Sequence, residues 1–151
     1  MDAYGEVDEL NAYLGAAVSA GIDPDLAEML VEIQRCLFSL GASLADPSTR
    51  AAGHAKVTAT QADVERLEGW IDSLETELAP LRQFILPGGH PTAASLHLAR
   101  AVCRRAERRV AGLGASAVDA TVIAYVNRLS DLLFVLARVV NVRAGVAEQE
   151  W

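Results

Sequence analysis

Aromatic residues are scarce in this chain of 151 residues: Phe, Tyr and Trp make up 5% of it, whereas hydrophobic residues make up 52%. Ala and Leu dominate that hydrophobic fraction, which favours helices over sheets. The two cysteines, Cys36 and Cys103, form no CxxC motif and have no histidine at zinc-ligand spacing. They are therefore predicted to be small buried residues of a protein kept in a reducing compartment.

Several catalytic and targeting patterns are also missing. The sequence has no GxGxxG or P-loop, no Ser/His/Asp or Cys/His set, and no Glu-x-x-His pair of the kind found in di-metal bundles. It has no signal-peptide pattern and no uninterrupted apolar run of about twenty residues, which predicts a cytoplasmic protein without a membrane partner. The net charge of −7 disfavours a general nucleic-acid-binding surface.

Apolar residues recur at helical spacing in five segments separated by Gly and Pro. The connections are short, no strand pattern is present, and no internal repeat occurs. These features predict a single all-α domain over residues 1–151, folded as a five-helix up-and-down bundle. The predicted helices cover residues 2–20, 24–45, 60–79, 91 to about 112–114, and 119–144.

The connection between the second and third predicted helices is the longest. Residues 46–59 contain Pro, Ser, Gly and small residues without periodicity, so they are predicted to be a loop. His54 in this loop is interpreted as a solvated side chain, because no second ligand stands at suitable spacing. Thr60 and Asp63 match a weak capping box at the start of the third helix.

The fourth predicted helix carries five arginines within ten residues, after a stretch that is apolar on all sides. An arginine face is usually a solvated surface with intrahelical ion pairs, here of Arg104 with Glu107. Guanidinium groups also bind phosphate oxygens bidentately. Here the arginines follow an apolar stretch that is expected to lie in the core, and this order favours an anion site at the edge of a pocket. The spacing predicts one face with Arg100, Arg104, Glu107 and Arg108, and a second row with Arg105 and Arg109.

The fifth predicted helix is apolar all round over 132–137, so we expect it to be the most buried. Asn127 and Asp131 interrupt it one turn apart, with Arg128 and Arg138 nearby. A buried Asn or Asp must find hydrogen-bond partners. The spacing leaves two interpretations open, a polar network inside the core or a ligand contact at the mouth of the bundle.

Four stretches of the chain closely resemble the PduO-type ATP:cob(I)alamin adenosyltransferases. They occur in the order typical of that family and cover roughly a third of the chain, and the closing VAEQEW is similar to the family's C-terminus. The stretches are AYGEVDELNAYLG (3–15), FILPGG (84–89), LHLARAVCRRAERR (96–109) and YVNRLSDLLFVLAR (125–138).

The resemblance implies a homotrimer of five-helix bundles with active sites between subunits. Such an enzyme transfers the 5′-deoxyadenosyl group of ATP to the cobalt of cob(I)alamin and releases triphosphate. ATP, Mg²⁺ and cobalamin are the implied small molecules, and a corrinoid reductase and a B12-dependent acceptor enzyme are the implied partners. No side-chain acid, base or nucleophile is required, in keeping with the missing catalytic sets.

The resemblance also implies a role for particular side chains. Phe84 would lie under the corrin and displace the lower axial ligand of the cobalt. Arg100 would form a salt bridge with Asp8 of the neighbouring subunit and so shape the corrinoid cleft. The residues implied to contact ATP are Arg104, Arg105, Glu107, Arg108 and Asn127.

One difference from the family pattern concerns the N-terminus. The family carries a Gly/Thr-rich segment, TRTGDxGTT, that wraps the triphosphate before the first helix, and this sequence starts after the point where that segment would lie. The alternative function is therefore a corrinoid carrier or chaperone that keeps Phe84 but lacks a complete ATP site. A purely structural bundle would not need Arg100, Arg104 and Arg108 on one face.

Overall fold

Five α-helices form the part of the chain that the computed structural model describes, residues 2–46 and 59–151. The all-α five-helix bundle predicted from the sequence is confirmed. Most of the predicted 46–59 loop, including His54, lies outside the described residues. The helices are α1 (Asp2–Ser19), α2 (Pro24–Ala45), α3 (Gln61–Glu75), α4 (Pro91–Ala111) and α5 (Ala120–Arg143).

Local chemistry explains where α3 begins and ends. The Thr60 hydroxyl accepts a hydrogen bond from the Asp63 N–H at 3.1 Å, and the Thr60 N–H donates to the Asp63 carboxylate at 3.3 Å, which confirms the predicted capping box. The helix ends at Glu75, several residues earlier than predicted. The N–H of Leu78 bonds to the carbonyl of Glu75 three residues back, and such tight turns terminate an α-helix.

Helix α5 packs against α4 and against α3. Helix α1 packs against α4, and α2 packs against α1. Fourteen residues of α5 are buried, which confirms that it is the most buried helix. Each fully buried leucine, such as Leu129 or Leu133, contributes roughly 1.5–3 kcal/mol to folding.

Helix α5 is also long and apolar enough to cross a membrane, as judged by length and composition. In its most apolar window, 56% of the residues are buried inside the bundle. A core helix of a water-soluble protein passes the same test, so this feature by itself is weak grounds for a membrane span.

Two expectations about buried residues need correction. The first half of α4 is not buried on all sides. Ala94, Leu98 and Ala101 are exposed, while the opposite face of the helix is buried. Cys103 is fully buried, as predicted, but Cys36 is only half-buried. Small apolar residues occur on both faces of α4, so their sequence pattern does not reveal which face packs.

Candidate functional site

The exposed side of α4 carries two arginines that are free to bind a ligand. Arg104 and Arg108 are exposed, and neither side chain forms a hydrogen bond or an ion pair with any described residue. The intrahelical pair expected between Arg104 and Glu107 is therefore not formed. The Glu107 carboxylate instead accepts a hydrogen bond at 3.0 Å from the side-chain amide of Asn127 on α5.

Asn127 and its neighbours form a polar network at the surface between α4 and α5. The Arg128 guanidinium donates to the Asn127 side-chain oxygen at 2.6 Å and lies 2.8 Å from the Asp131 carboxylate. Asp131 is exposed and Asn127 is half-buried, so of the two interpretations left open by the spacing, a network inside the core does not fit their positions. Residues of this network therefore border the unpaired arginines of α4 through the Glu107 contact.

Arg105 is separated from these arginines by its partners on α1. Its guanidinium donates hydrogen bonds of 2.6 Å to Glu6 and 2.6 Å to Glu9. The bonds to Glu6 and Glu9 raise the pKa of Arg105, which remains positively charged. Within one chain, Arg105 thus ties α4 to α1 and has less freedom to meet an anion than Arg104 or Arg108.

Arg100 and His97 of α4 pack against Phe134 of α5, and we call this group the Arg100 stack. The Arg100 guanidinium lies 5.1 Å from the ring centre of Phe134, a cation–π contact. The His97 ring meets the same phenyl ring edge-on at 5.9 Å. Burial lowers the pKa of His97, and Arg100 lowers it further. The sequence did not point to His97 or Phe134, although Phe134 is the one aromatic residue in the apolar run 132–137.

Phe84 lies in the connection between α3 and α4 and is 79% exposed. Its ring contacts the ring of Trp151 edge-on, with the two centres 6.4 Å apart. Phe84 is therefore not a core residue, and its phenyl group is available to a ligand.

Asn141, which the sequence did not single out, fixes the Pro-Gly-Gly turn that follows Phe84. Its side chain accepts a hydrogen bond from the His90 N–H at 2.8 Å and donates one to the Gly88 carbonyl at 3.0 Å. Gly89 has a φ of 102° and lies so close to the Asn141 amide that a Cβ atom would clash with it. The sequence signal for this role was a polar residue at the end of an otherwise apolar helix.

We expect Asn141→Ala to lower the free energy of unfolding by about 1–3 kcal/mol, because the Asn141 side chain is buried and its loss leaves the half-buried backbone groups of Gly88 and His90 without these partners. Denaturant unfolding of the variant and the wild type measures the difference. Asn127→Ala, at a half-buried surface position, serves as the control and should cost less. Equal stabilities of the Asn141 variant and the wild type would contradict this assignment.

Asp8 forms no ion pair with any residue that the structure describes. It is exposed on α1, beside a small cavity of about 100 Å³ that is also lined by Tyr4 and by Phe38, itself 73% exposed. No ion pair joins Asp8 to Arg100 within the residues described for one chain. A contact between these two residues would therefore have to form between subunits.

The sequence of this chain is similar to curated adenosyltransferases along most of its length. The Cobalamin adenosyltransferase family matches residues 1–140. The corrinoid adenosyltransferase of Mycobacterium tuberculosis is 44% identical over 143 residues, covering 92% of this chain and 74% of that protein. The corrinoid adenosyltransferase of Bacillus subtilis is 41% identical over 157 residues, covering 100% of this chain and 79% of that protein.

Solved structures of PduO-type adenosyltransferases have a fold similar to that of this chain. A variant PduO-type ATP:corrinoid adenosyltransferase from Lactobacillus reuteri, complexed with cobalamin and ATP, superposes with a TM-score of 0.86 at 36% identity and covers 99% of this chain and 83% of that one. A second variant of that enzyme, complexed with ATP, has a TM-score of 0.86 at 34% identity, with coverages of 99% and 85%. The resemblance seen in the four sequence stretches is thus confirmed, and the chain belongs to the cobalamin adenosyltransferase family.

Proposed function

We propose that this protein is a corrinoid adenosyltransferase, which transfers the 5′-deoxyadenosyl group of ATP to the cobalt of cob(I)alamin and releases triphosphate. The observation that carries the proposal is the arginine face of α4, where the guanidinium groups of Arg104 and Arg108 have no partner among the described residues and the neighbouring Glu107 is hydrogen-bonded to Asn127. Unpaired guanidinium groups at a protein surface suit the charged oxygens of a triphosphate.

The ATP end of the site is formed by α4 and the adjoining turn of α5. Arg104 and Arg108 would bind phosphate oxygens, and Arg105 would join them only by giving up part of its bonding to α1. Asn127 and Glu107, already hydrogen-bonded to each other, offer an amide and a carboxylate for the nucleoside. The described residues contain no group of three metal-ligating side chains. Mg²⁺ would therefore be held mainly by the phosphates of ATP.

The corrinoid end of the site is formed by Phe84, the Arg100 stack and Asp8 of a neighbouring subunit. The exposed phenyl group of Phe84 would take the position of the lower axial ligand and exclude water without coordinating the metal. A cobalt without its lower ligand is reduced more easily to the Co(I) nucleophile. Arg100, which has no carboxylate partner among the described residues of its own chain, would pair with Asp8 across the subunit boundary.

The reaction needs positioning and charge stabilisation rather than proton transfer. The electron pair of Co(I) attacks C5′ of ATP, the cobalt–carbon bond forms, and the bond from C5′ to the triphosphate oxygen breaks. Negative charge grows on the departing triphosphate, and Arg104 and Arg108 stabilise it. This accounts for the lack of a catalytic acid, base or nucleophile in the sequence.

The phosphorus-containing product tests the reaction type. With ATP and cob(I)alamin, the enzyme is expected to release inorganic triphosphate, which phosphorus NMR distinguishes from diphosphate and phosphate. Release of ADP and phosphate instead would indicate a nucleotide hydrolase and contradict the proposal. Omitting cobalamin provides the control, because without an acceptor no triphosphate should appear.

A homotrimer is the oligomeric state we propose, with each site shared between two subunits. Exposed apolar side chains on α4 and α2, including Leu98 and Phe38, support a subunit interface. So do the charges of Asp8 and Arg100, which have no ion-pair partner among the residues that the structure describes. Light scattering at micromolar concentration should give three times the mass of the chain. A monomer under these conditions would contradict the shared site.

We also propose a cytoplasmic location and two protein partners. Cob(I)alamin is a strong reductant that must be made from Co(II) where it is used, which calls for a corrinoid reductase. Adenosylcobalamin is a cofactor, so its consumer would be a B12-dependent acceptor enzyme. The two free cysteines, Cys36 and Cys103, suit the reducing conditions of that compartment.

A further inference from the structure

The last residues of the chain pair with the segment that carries Phe84. The Trp151 N–H donates to the Phe84 carbonyl at 2.9 Å, and the Leu86 N–H donates to the Gln149 carbonyl at 2.8 Å. Ile85 and Glu150 form an antiparallel bridge between these two bonds. The backbone from Phe84 to Leu86 is therefore held by the C-terminal tail, residues 146–151.

This pairing is too short to hold itself in place. Two strands of three residues bury little surface, and isolated two-stranded pairs are marginally stable at best in water. The two aromatic side chains on it contribute little burial, because Phe84 is 79% and Trp151 is 83% exposed. The position of the pair must depend on an anchor in the bundle.

Arg138 of α5 provides that anchor. Its Nε lies 3.1 Å from each carboxylate oxygen of Glu148 in the tail, and its Nη2 donates to the Ala79 carbonyl at 3.0 Å in the connection that leads to Phe84. The side chains of Arg138 and Glu148 are 10% and 17% exposed. One buried guanidinium thus joins α5 to both segments of the pair.

The burial makes the anchor specific. A charge that has left water needs its partner, and removing one member of a buried ion pair costs far more than breaking an exposed one. The tail therefore has one favourable position, in which Glu148 reaches Arg138, and this position places Trp151 and Gln149 against the Phe84 segment.

We propose that Arg138 and Glu148 form a clasp that positions Phe84 for the corrinoid, with Arg138 as the positioning residue. The inference rests on the proposed role of Phe84 in adenosyl transfer. The clasp touches neither substrate, so its loss should affect the order of the Phe84 segment and the state of the cobalt and leave ATP binding unchanged.

The test compares the complete wild-type protein with Arg138→Met, which removes the charge but keeps the apolar stem. Amide hydrogen exchange at Leu86 and Trp151 should become about tenfold faster or more, because both bonds belong to the clasped pair. With ATP present, the visible spectrum of bound cob(II)alamin should show less of the four-coordinate form. The kcat for adenosylation should fall by about tenfold, with the KM for ATP unchanged.

Two further variants separate positioning from general destabilisation. Arg143→Met removes another α5 arginine, which is paired with Asp25 and Glu77, and should lower stability without changing amide exchange at Leu86 or the cobalt spectrum. Glu148→Gln removes the charge of the other clasp residue, which lies in the tail outside the helices. The same measurements on this variant test the clasp if Arg138→Met does not fold.

Wild-type-like exchange, cobalt spectrum and kcat in both clasp variants would overturn the clasp while leaving the enzyme function intact. The same would follow if Arg143→Met changed these readouts as much as Arg138→Met does. A wild-type protein that does not adenosylate cobalamin would overturn the proposed function, and the role of the clasp with it.

Discussion

Phe84→Ala is expected to slow adenosylation on the order of a hundredfold while leaving the melting temperature nearly unchanged. Truncating a core phenylalanine costs roughly 3–5 kcal/mol, but Phe84 is 79% exposed and leaves no cavity when it is removed. Its loss should therefore change stability by less than about 1 kcal/mol. The cobalt would keep its lower ligand and remain five-coordinate, so its reduction would become difficult.

Two measurements on the same variant test this expectation: thermal melting, and the visible spectrum of bound cob(II)alamin in the presence of ATP. Leu81→Ala is a matched control, since Leu81 is a partly exposed apolar residue of the same connection. The control should retain the four-coordinate signal. A large loss of stability in Phe84→Ala together with an unchanged four-coordinate signal would mean that Phe84 is a packing residue.

Arg104→Ala is expected to weaken ATP binding by about 2 kcal/mol, or roughly 30-fold in Kd. Arg104 is exposed and makes no bond to any described residue, so its guanidinium can give both of its parallel donors to a phosphate. The same variant should fold normally, because it breaks no contact of the free chain that the structure describes.

Arg109→Ala is the matched control for this prediction. Arg109 is also exposed on α4, but it belongs to the row beside the face that Arg104 shares with Arg108. Its loss should change ATP affinity far less. Equal affinities of the two variants, measured by titration calorimetry on the complete protein, would contradict the assignment of the binding face.

The sequence predicted the helices well because their signals are local. Apolar spacing located all five helices, and the Thr60–Asp63 box gave the start of α3. The end of α3 was placed too late, because Leu78 fits the helical spacing and also packs against the core after the helix has ended. A periodic pattern records which side chains are buried but not whether the backbone is still helical.

The candidate site was only partly predictable. Facial spacing on α4 predicted that Arg104 and Arg108 lie on one face, and both are exposed, whereas the partners of Arg105 lie about a hundred residues earlier on α1. The contacts of Asn141 with the Pro-Gly-Gly turn and of the tail with Phe84 also join distant parts of the chain. Such contacts depend on how helices and connections meet in space, and helical periodicity carries no information about them.

The most direct test of the proposed function is the fate of the corrinoid. Cob(I)alamin and ATP are mixed anaerobically with the complete protein, and the visible spectrum is followed before and after exposure to light. The proposal predicts conversion to adenosylcobalamin, whose cobalt–carbon bond is then broken by light, in an amount that matches the triphosphate released. A corrinoid that binds to the protein but remains unadenosylated with ATP present would contradict the enzyme and indicate a carrier.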